Sequence, residues 1–276
     1  METKAIIAYV TCDDVIKKLK IMEDIQSKMT IAEVMTTAII SAIQYSGNLE
    51  KARKSLKNEK YIPNMLSKSQ LNRRLHNISA NIWKEVLKKL YLEFARNNLD
   101  NEFVVDSCPI YACKLARQNQ TKLYCRKKYL GYCASQSKFF IGFKLHMITD
   151  VNGMPIIILL LPASGSDIAS FKQIDLNQLP KNAIIYADKA YNDYVYEDQL
   201  VNKNRLHLLP IRKKNSKRKC SDTFEKIKSK KRKVIETAFS CIEKLMPRSI
   251  HAVTKEGFIL KTMLFVIAYA VNKIII

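Results

Sequence analysis

Apolar residues recur at three- and four-residue steps through Ile31, Val34, Met35, Ala38, Ile39, Ala42 and Ile43, which predicts an amphipathic helix. Thr30 stands before it as a candidate N-cap, and Gly47 ends it. A second helix is predicted over Leu49–Leu56. After the Ile62-Pro63-Asn64 turn, a third starts at Ser67 or Ser69 and carries Arg73, Arg74 and His76, and a fourth covers Trp83–Asn97. Beyond Leu99 the period changes. Phe103-Val104-Val105 and Phe139–Ile148 are rich in β-branched and aromatic residues, the signature of strands. Met154–Leu161 is a further strand, joined to the last by a hairpin turn at Asp150-Val151-Asn152-Gly153. The pattern then predicts a helix at Ser166–Ile174, a buried strand at Ala183–Ala187, a helix at Tyr194–Asn202, a strand at Leu206–Ile211 and a long helix at Ile227–Leu245. The apolar run Met263–Val271 is too short to span a bilayer and is flanked by Lys261 and Lys273, so it reads as a buried helix, with no membrane partner expected.

Three strands in a meander followed by alternating helix and strand is the order of an RNase H-like domain. The expected fold class is therefore an α/β RNase H-like domain, a mixed sheet flanked by helices, behind an N-terminal all-α domain. The predicted boundaries are residues 1–99 for the helices and 100–276 for the sheet domain with its C-terminal helix. Short helices followed by one that exposes Arg73 and Arg74 suit a helix-turn-helix-like DNA reader. A plain helical bundle with a basic outer face explains the same pattern equally well.

Charge narrows the class of partner. The chain holds 47 Lys and Arg against 25 Asp and Glu, a formal net charge of +22, which favours a polyanion. The excess is concentrated in two stretches. Ser107–Lys138 holds seven cations, among them Arg126, Lys127 and Lys128, and no acid. Arg212–Lys233 holds twelve cations, among them Arg212, Lys213, Lys214, Lys230, Lys231 and Arg232, against Asp222 and Glu225. A solubilising surface or an import signal is the competing explanation. Seven Cys, no CxxC pair and an N-terminus without a secretory pattern favour a reducing, cytoplasmic setting. Cys108, Cys113, Cys125 and Cys133 match no common zinc spacing.

The acids supply the candidate chemistry. Phosphoryl transfer on DNA calls for charge neutralisation at the phosphate, an activated oxygen nucleophile and a stabilised leaving oxygen, which two metal ions held by convergent carboxylates can provide. Asp106 follows the apolar run Phe103-Val104-Val105, and Asp188 follows Ile184-Ile185-Tyr186-Ala187, so each carboxylate is expected at the end of a buried strand. A turn or N-cap aspartate is the structural alternative for both. Glu236 shares a face of the long helix with Arg232, Ser240 and Glu243. Spacing alone does not separate Glu236 from Glu243, nor a metal ligand from an Arg232–Glu236 ion pair. Asp167, in Gly165-Ser166-Asp167, is a further candidate, explained more simply as a helix N-cap.

The segments Val105-Asp106-Ser107-Cys108-Pro109, Tyr129-Leu130-Gly131-Tyr132-Cys133-Ala134-Ser135, Tyr186-Ala187-Asp188-Lys189-Ala190-Tyr191, Leu209–Ser216, Arg232–Ser240 and Ile250–Thr254 occur in an order that resembles DDE transposases of the bacterial insertion sequence 982 family. Tyr61–Ser67 and Asn72–His76 extend the resemblance through nearly the whole chain. It implies that Asp106, Asp188 and Glu236 form a catalytic triad holding two Mg²⁺ or Mn²⁺ ions. It also implies cleavage at the element's terminal inverted repeats followed by 3′-hydroxyl attack on target double-stranded DNA, a homodimer in the synaptic complex, and a bacterial, nucleoid-associated location. Lys189 and Arg232 then become candidate phosphate contacts. Ala190 stands where that family has Gly, which predicts a strained turn. Two other readings remain: a non-catalytic basic nucleic-acid-binding protein and a simple metal-dependent nuclease.

Overall fold

The computed structural model describes residues 2–97, 101–117, 123–124, 126–213 and 215–275. The described residues up to 96, with those from 241 onward, form one compact unit; those from 97 to 240 form the other. Chain order alone assigns residues 241–275 to the sheet domain, yet they pack with the N-terminal helices.

The helical unit contains α1 (Glu2–Lys18), α2 (Ile31–Gln44), α3 (Leu49–Asn58), α4 (Lys68–His76) and α5 (Ala80–Phe94). Thr30 caps α2 in a reciprocal box, its hydroxyl accepting from the Glu33 N–H while Glu33 accepts from the Thr30 N–H. Gly47, at φ +81°, closes the other end, its N–H donating to the Ser41 carbonyl. Ser67 makes the same kind of box with Gln70 and fixes the start of α4. No expectation covered α1, because the residues it buries, Ala5, Ala8, Thr11, Cys12, Val15 and Ile16, are mostly small and leave a weak apolar stripe. The last helix of the unit runs Lys255–Ile275, well beyond the apolar run that predicts it. By length and composition it could cross a membrane, but its residues from Thr262 to Val271 are buried in this unit, against α1, α2 and α5.

In the other unit, β1 (Glu102–Cys113) is followed by a short helix α6 (Arg126–Tyr129), β2 (Leu130–Cys133), β3 (Lys138–Asp150), β4 (Pro155–Pro162), α7 (Asp167–Phe171), β5 (Ile184–Ala187), α8 (Tyr194–Gln199), β6 (His207–Pro210) and α9 (Asp222–Leu245), whose residues from 241 onward belong to the helical unit. β3 pairs antiparallel with β1 on one edge and with β2 and β4 on the other, and β5 and β6 add in parallel beyond β1. The antiparallel strands β1, β3 and β4, with short β2 added beside β3, continued by the two parallel strands β5 and β6, make the RNase H-like sheet. The final helix, Lys255–Ile275, is α10 in this numbering. The β3–β4 turn is held by Asp150, whose carboxylate accepts from the Asn152 and Met154 N–H groups while Gly153 takes φ +84°.

β1 is much longer than its apolar run predicts. It continues through Asp106, Ser107 and Pro109 because β3 pairs with it as far as Cys113. Pro109 lies beyond Val104, the last residue paired to β5, so one edge of β1 there has no strand partner to miss its absent N–H. Gly142 of β3 lies against this strand so closely that a Cβ would come 2.0 Å from the Ile110 carbonyl oxygen. On the same strand, His146 is fully buried and neither ring nitrogen meets a protein partner. Burial holds its pKa down at about 4, with Asp167 opposing and Lys144 adding to the shift.

Two outcomes follow. Gly142→Ala should destabilise the sheet unit by about 3 kcal/mol, since the clash is with backbone and cannot relax by rotamer change; denaturant unfolding that leaves the midpoint in place would contradict this. Because the His146 pKa is lower folded than unfolded, its stabilisation is complete above pH 6.5 and is lost as pH falls towards 4, to a limit of roughly 3 kcal/mol. The melting temperature of the native chain should therefore fall more steeply between pH 7 and 4.5 than that of His146→Leu. Parallel curves would show that another group takes up the proton.

Candidate active site

The parallel register of β1 and β5 pairs Phe103 with Ile185 and Val104 with Tyr186. Asp106 and Asp188 each stand two residues past Val104 and Tyr186, and the backbone at Asp188 is still extended, so both carboxylates leave the same face side by side. Asp188 ends its strand as the apolar run predicts. Asp106 instead lies within a continuing strand, opposite Met147 of β3, at the point where β5 stops.

Helix α9 is fastened across these strand ends by its cations. Lys228, whose side chain is only 1% exposed, donates to the Pro210 carbonyl at the end of β6 (2.8 Å) and to Glu225 (2.6 Å). One turn on, Lys231 donates to Glu102 of β1 (2.6 Å), whose other carboxylate oxygen accepts from the Tyr186 hydroxyl. Ile235, Ala238 and Ile242 bury the apolar face. With the helix so held, the Arg232 guanidinium lies among three carboxylates: Nη2 is 2.7 Å from Asp106 and 3.7 Å from Glu236, and Nη1 is 3.3 Å from Asp188. Glu243 lies two turns further along, among the residues of the helical unit, and is exposed.

The site's electrostatics follow from burial. Desolvation pushes the Asp106 carboxyl above its usual range, against the pull of the Arg232 charge and hydrogen bond and of the Ser107 N–H. Desolvation would lower the Arg232 pKa, but the Asp106, Asp188 and Glu236 charges overcome it and raise the value. Asp106 is thus a partly buried carboxylate that favours a cation, and among the described residues Arg232 is its salt-bridge partner. No group of three His, Cys, Asp or Glu among the described residues surrounds a common point as metal ligands do. The three carboxylates converge on the guanidinium instead. Their donor chemistry, oxygen atoms from side chains on two strands and a helix, suits a hard divalent ion.

Asp167 does something other than cap its helix. Ser166 is the N-cap of α7, accepting from the Ala169 N–H, which leaves Asp167 free to accept from the Ser107 hydroxyl (2.9 Å) and Lys144 (3.0 Å). It thereby braces the residue next to Asp106. A hydroxyl standing directly before the acid was the available signal. Tyr191, fully buried beside these groups, has its hydroxyl pKa pushed well up by burial, with Asp106 and Asp167 adding to it. Ala190 lies in a 3₁₀ turn, Lys189–Tyr191, and is not among the residues with positive φ, so the strain predicted for it is absent.

The basic residues expected on a DNA face divide sharply. Arg73, Lys127, Lys128, Lys189, Lys213 and Lys230 are exposed. Arg74 donates to the Met29 carbonyl (2.5 Å). Arg212 is nearly buried, in a two-pronged ion pair with Glu197 (2.7 Å each) and a hydrogen bond to Asn192. Lys231 and Arg232 are held by the acids already described. Lys214, the Arg126 side chain and Cys125 lie outside the described residues. Sequence reasoning missed these internal uses because a run of cations looks the same whether its partners are phosphates or distant acids of the same chain.

Comparison with known proteins gives a family and a fold. None of the curated proteins matches the chain. A solved structure, a piggyBac transposase synaptic complex with hairpin DNA, superposes with a TM-score of 0.50 at 9% identity over 97% of this chain and 72% of that one. At that identity the likeness speaks for the fold alone. The family described as the transposase DDE domain matches residues 98–271, more than half of the sequence, and the chain therefore belongs to the DDE transposase family.

Proposed function

We propose that this protein is a DNA transposase that cleaves strands at the ends of an insertion sequence and transfers the freed 3′-hydroxyl into target DNA, with Asp106, Asp188 and Glu236 as its metal-holding carboxylates. The observation that carries this reading is the convergence of those three side chains on one cation, from two neighbouring strands and the helix laid across them. A guanidinium at that point acts as a stand-in for the charge the acids require, so the donor set fits Mg²⁺ or Mn²⁺, with two ions expected. Bound there, such ions would neutralise charge on the phosphate and lower the pKa of an attacking oxygen.

The chain's own residues do the rest. The Val104–Tyr186 register and the fastening of α9 by Lys228 and Lys231 hold the carboxylates on rigid elements, and rigidity is what phosphoryl transfer asks of a protein that supplies mainly position and charge. Asp167 and Lys144 brace Ser107 beside Asp106. Exposed Lys127, Lys128, Lys189, Lys213 and Lys230 are proposed to contact the DNA backbone, and Arg73 to contact DNA from the helical unit. The structurally similar piggyBac complex contains hairpin DNA, which supports DNA as the partner here, in the form of terminal inverted repeats and target duplex. A homodimer is proposed for the synaptic state, since two ends must be brought together.

Incubation with end-containing duplex and Mg²⁺ should yield nicked and joined products on a denaturing gel. Nicks without joining would reduce the protein to a nuclease, and metal-independent binding alone would make it a DNA-binding protein. Asp188→Asn should lower cleavage more than about a hundredfold while leaving duplex binding intact. Glu236→Gln should behave like it and Glu243→Gln like the unaltered chain; the reverse ranking would move the third ligand to Glu243.

A further inference from the structure

The guanidinium of Arg232 occupies the space between the carboxylates, and that placement bears on how the site would take up metal. Its Nη2 lies 2.7 Å from Asp106 Oδ2 and its Nη1 3.3 Å from Asp188 Oδ1, so it uses the oxygen atoms that a divalent ion would need. A guanidinium stays charged at any ordinary pH and cannot leave by deprotonation. It also cannot share those oxygens with an ion, because like charges a few ångströms apart in a partly buried site repel strongly. Lys231, Lys144 and Lys228 are committed elsewhere, to Glu102, Asp167 and Glu225. Among the described residues, Arg232 alone bridges the acids of different elements at this point.

Resting on the proposed reading of Asp106, Asp188 and Glu236, we infer that Arg232 is a built-in competitor for the metal site, displaced when ions enter and then free to pair with a DNA phosphate. Without metal it stabilises three acids that would otherwise repel one another. With metal bound it becomes an unpaired cation at the edge of the carboxylate cluster, where a phosphate oxygen is the anion that a guanidinium matches best. The two events are therefore linked: a phosphate that draws Arg232 away opens the carboxylates to metal, and metal that expels Arg232 strengthens the hold on DNA. The site would stay poorly loaded with metal until DNA arrives.

The test measures binding, not turnover. Mn²⁺ titrated into the full-length protein without DNA, with free ion followed by electron paramagnetic resonance, should bind tighter to Arg232→Met than to the unaltered chain. The expected gain is within about 5- to 150-fold, the ordinary range for coupled sites. Arg232→Lys, which keeps the charge but cannot bridge two carboxylates, should fall between them and serves if the Met variant does not fold. Reciprocally, Ca²⁺, which takes the same oxygen donors, should tighten binding of a fluorescent duplex to the unaltered chain more than to Arg232→Met. Equal or weaker Mn²⁺ binding by both variants would overturn the inference and make Arg232 a support of the site. Asp188→Asn separates this from failure of the underlying reading: if no Mn²⁺ binding depends on Asp188, the carboxylates are not a metal site at all.

Discussion

Everything at the site depends on the parallel pairing of β1 with β5. Val104 opposite Tyr186 carries the next two residues of each strand to the same face, so that Asp106 and Asp188 come side by side without any loop having to arrange them. A slip of one residue would turn one acid to the opposite face and abolish the site. The register is held by apolar side chains that are wholly or nearly buried, Phe103 and Val104 on one strand and Ile185 and Tyr186 on the other, and slipping would expose them. The chemistry therefore inherits its geometry from the core.

Two carboxylates brought together in a partly buried place repel each other, and the structure answers with cations from α9. Lys228 and, one turn on, the adjacent Lys231 and Arg232 reach β6, β1 and the carboxylates of Asp106 and Asp188 respectively. The helix is thus aligned by ion pairs and a hydrogen bond as well as by buried Ile235 and Ala238. Lys228 and Arg232 give up most of their water for partners inside the protein, so removing one of those partners would leave a charge uncompensated, whereas Lys231 keeps part of its hydration. Arg212 with Glu197 applies the same device on the neighbouring α8, where the guanidinium and carboxylate are both almost entirely buried. The basic stretch from Arg212 to Lys233 is accordingly a composite of internal fasteners and exposed lysines.

The helical unit rests on different forces. Its helices begin at hydroxyl caps and pack through apolar faces, and α10 lies against α1, α2 and α5. Thr30, Gly47 and Ser67 were readable because caps act on the nearest few residues of chain. The partner of α10 was not, since a buried helix has the same composition whichever apolar surface covers it.

The sequence by itself determined most of the strands and helices after residue 100, though not the short α6 and β2, together with the hairpin at Asp150–Gly153, the family resemblance, and the two aspartates as acids bound to apolar strands. These properties are local: they depend on side-chain period, turn chemistry and short motifs. Tertiary structure decided that β1 runs on past Asp106, that Asp167 braces Ser107, and that Arg232 reaches Asp106 and Asp188. It also decided which cations face inward. All of these depend on what residues distant in sequence present to one another, a charge or a strand edge, and no spacing along the chain encodes the distance between Arg232 and Asp106.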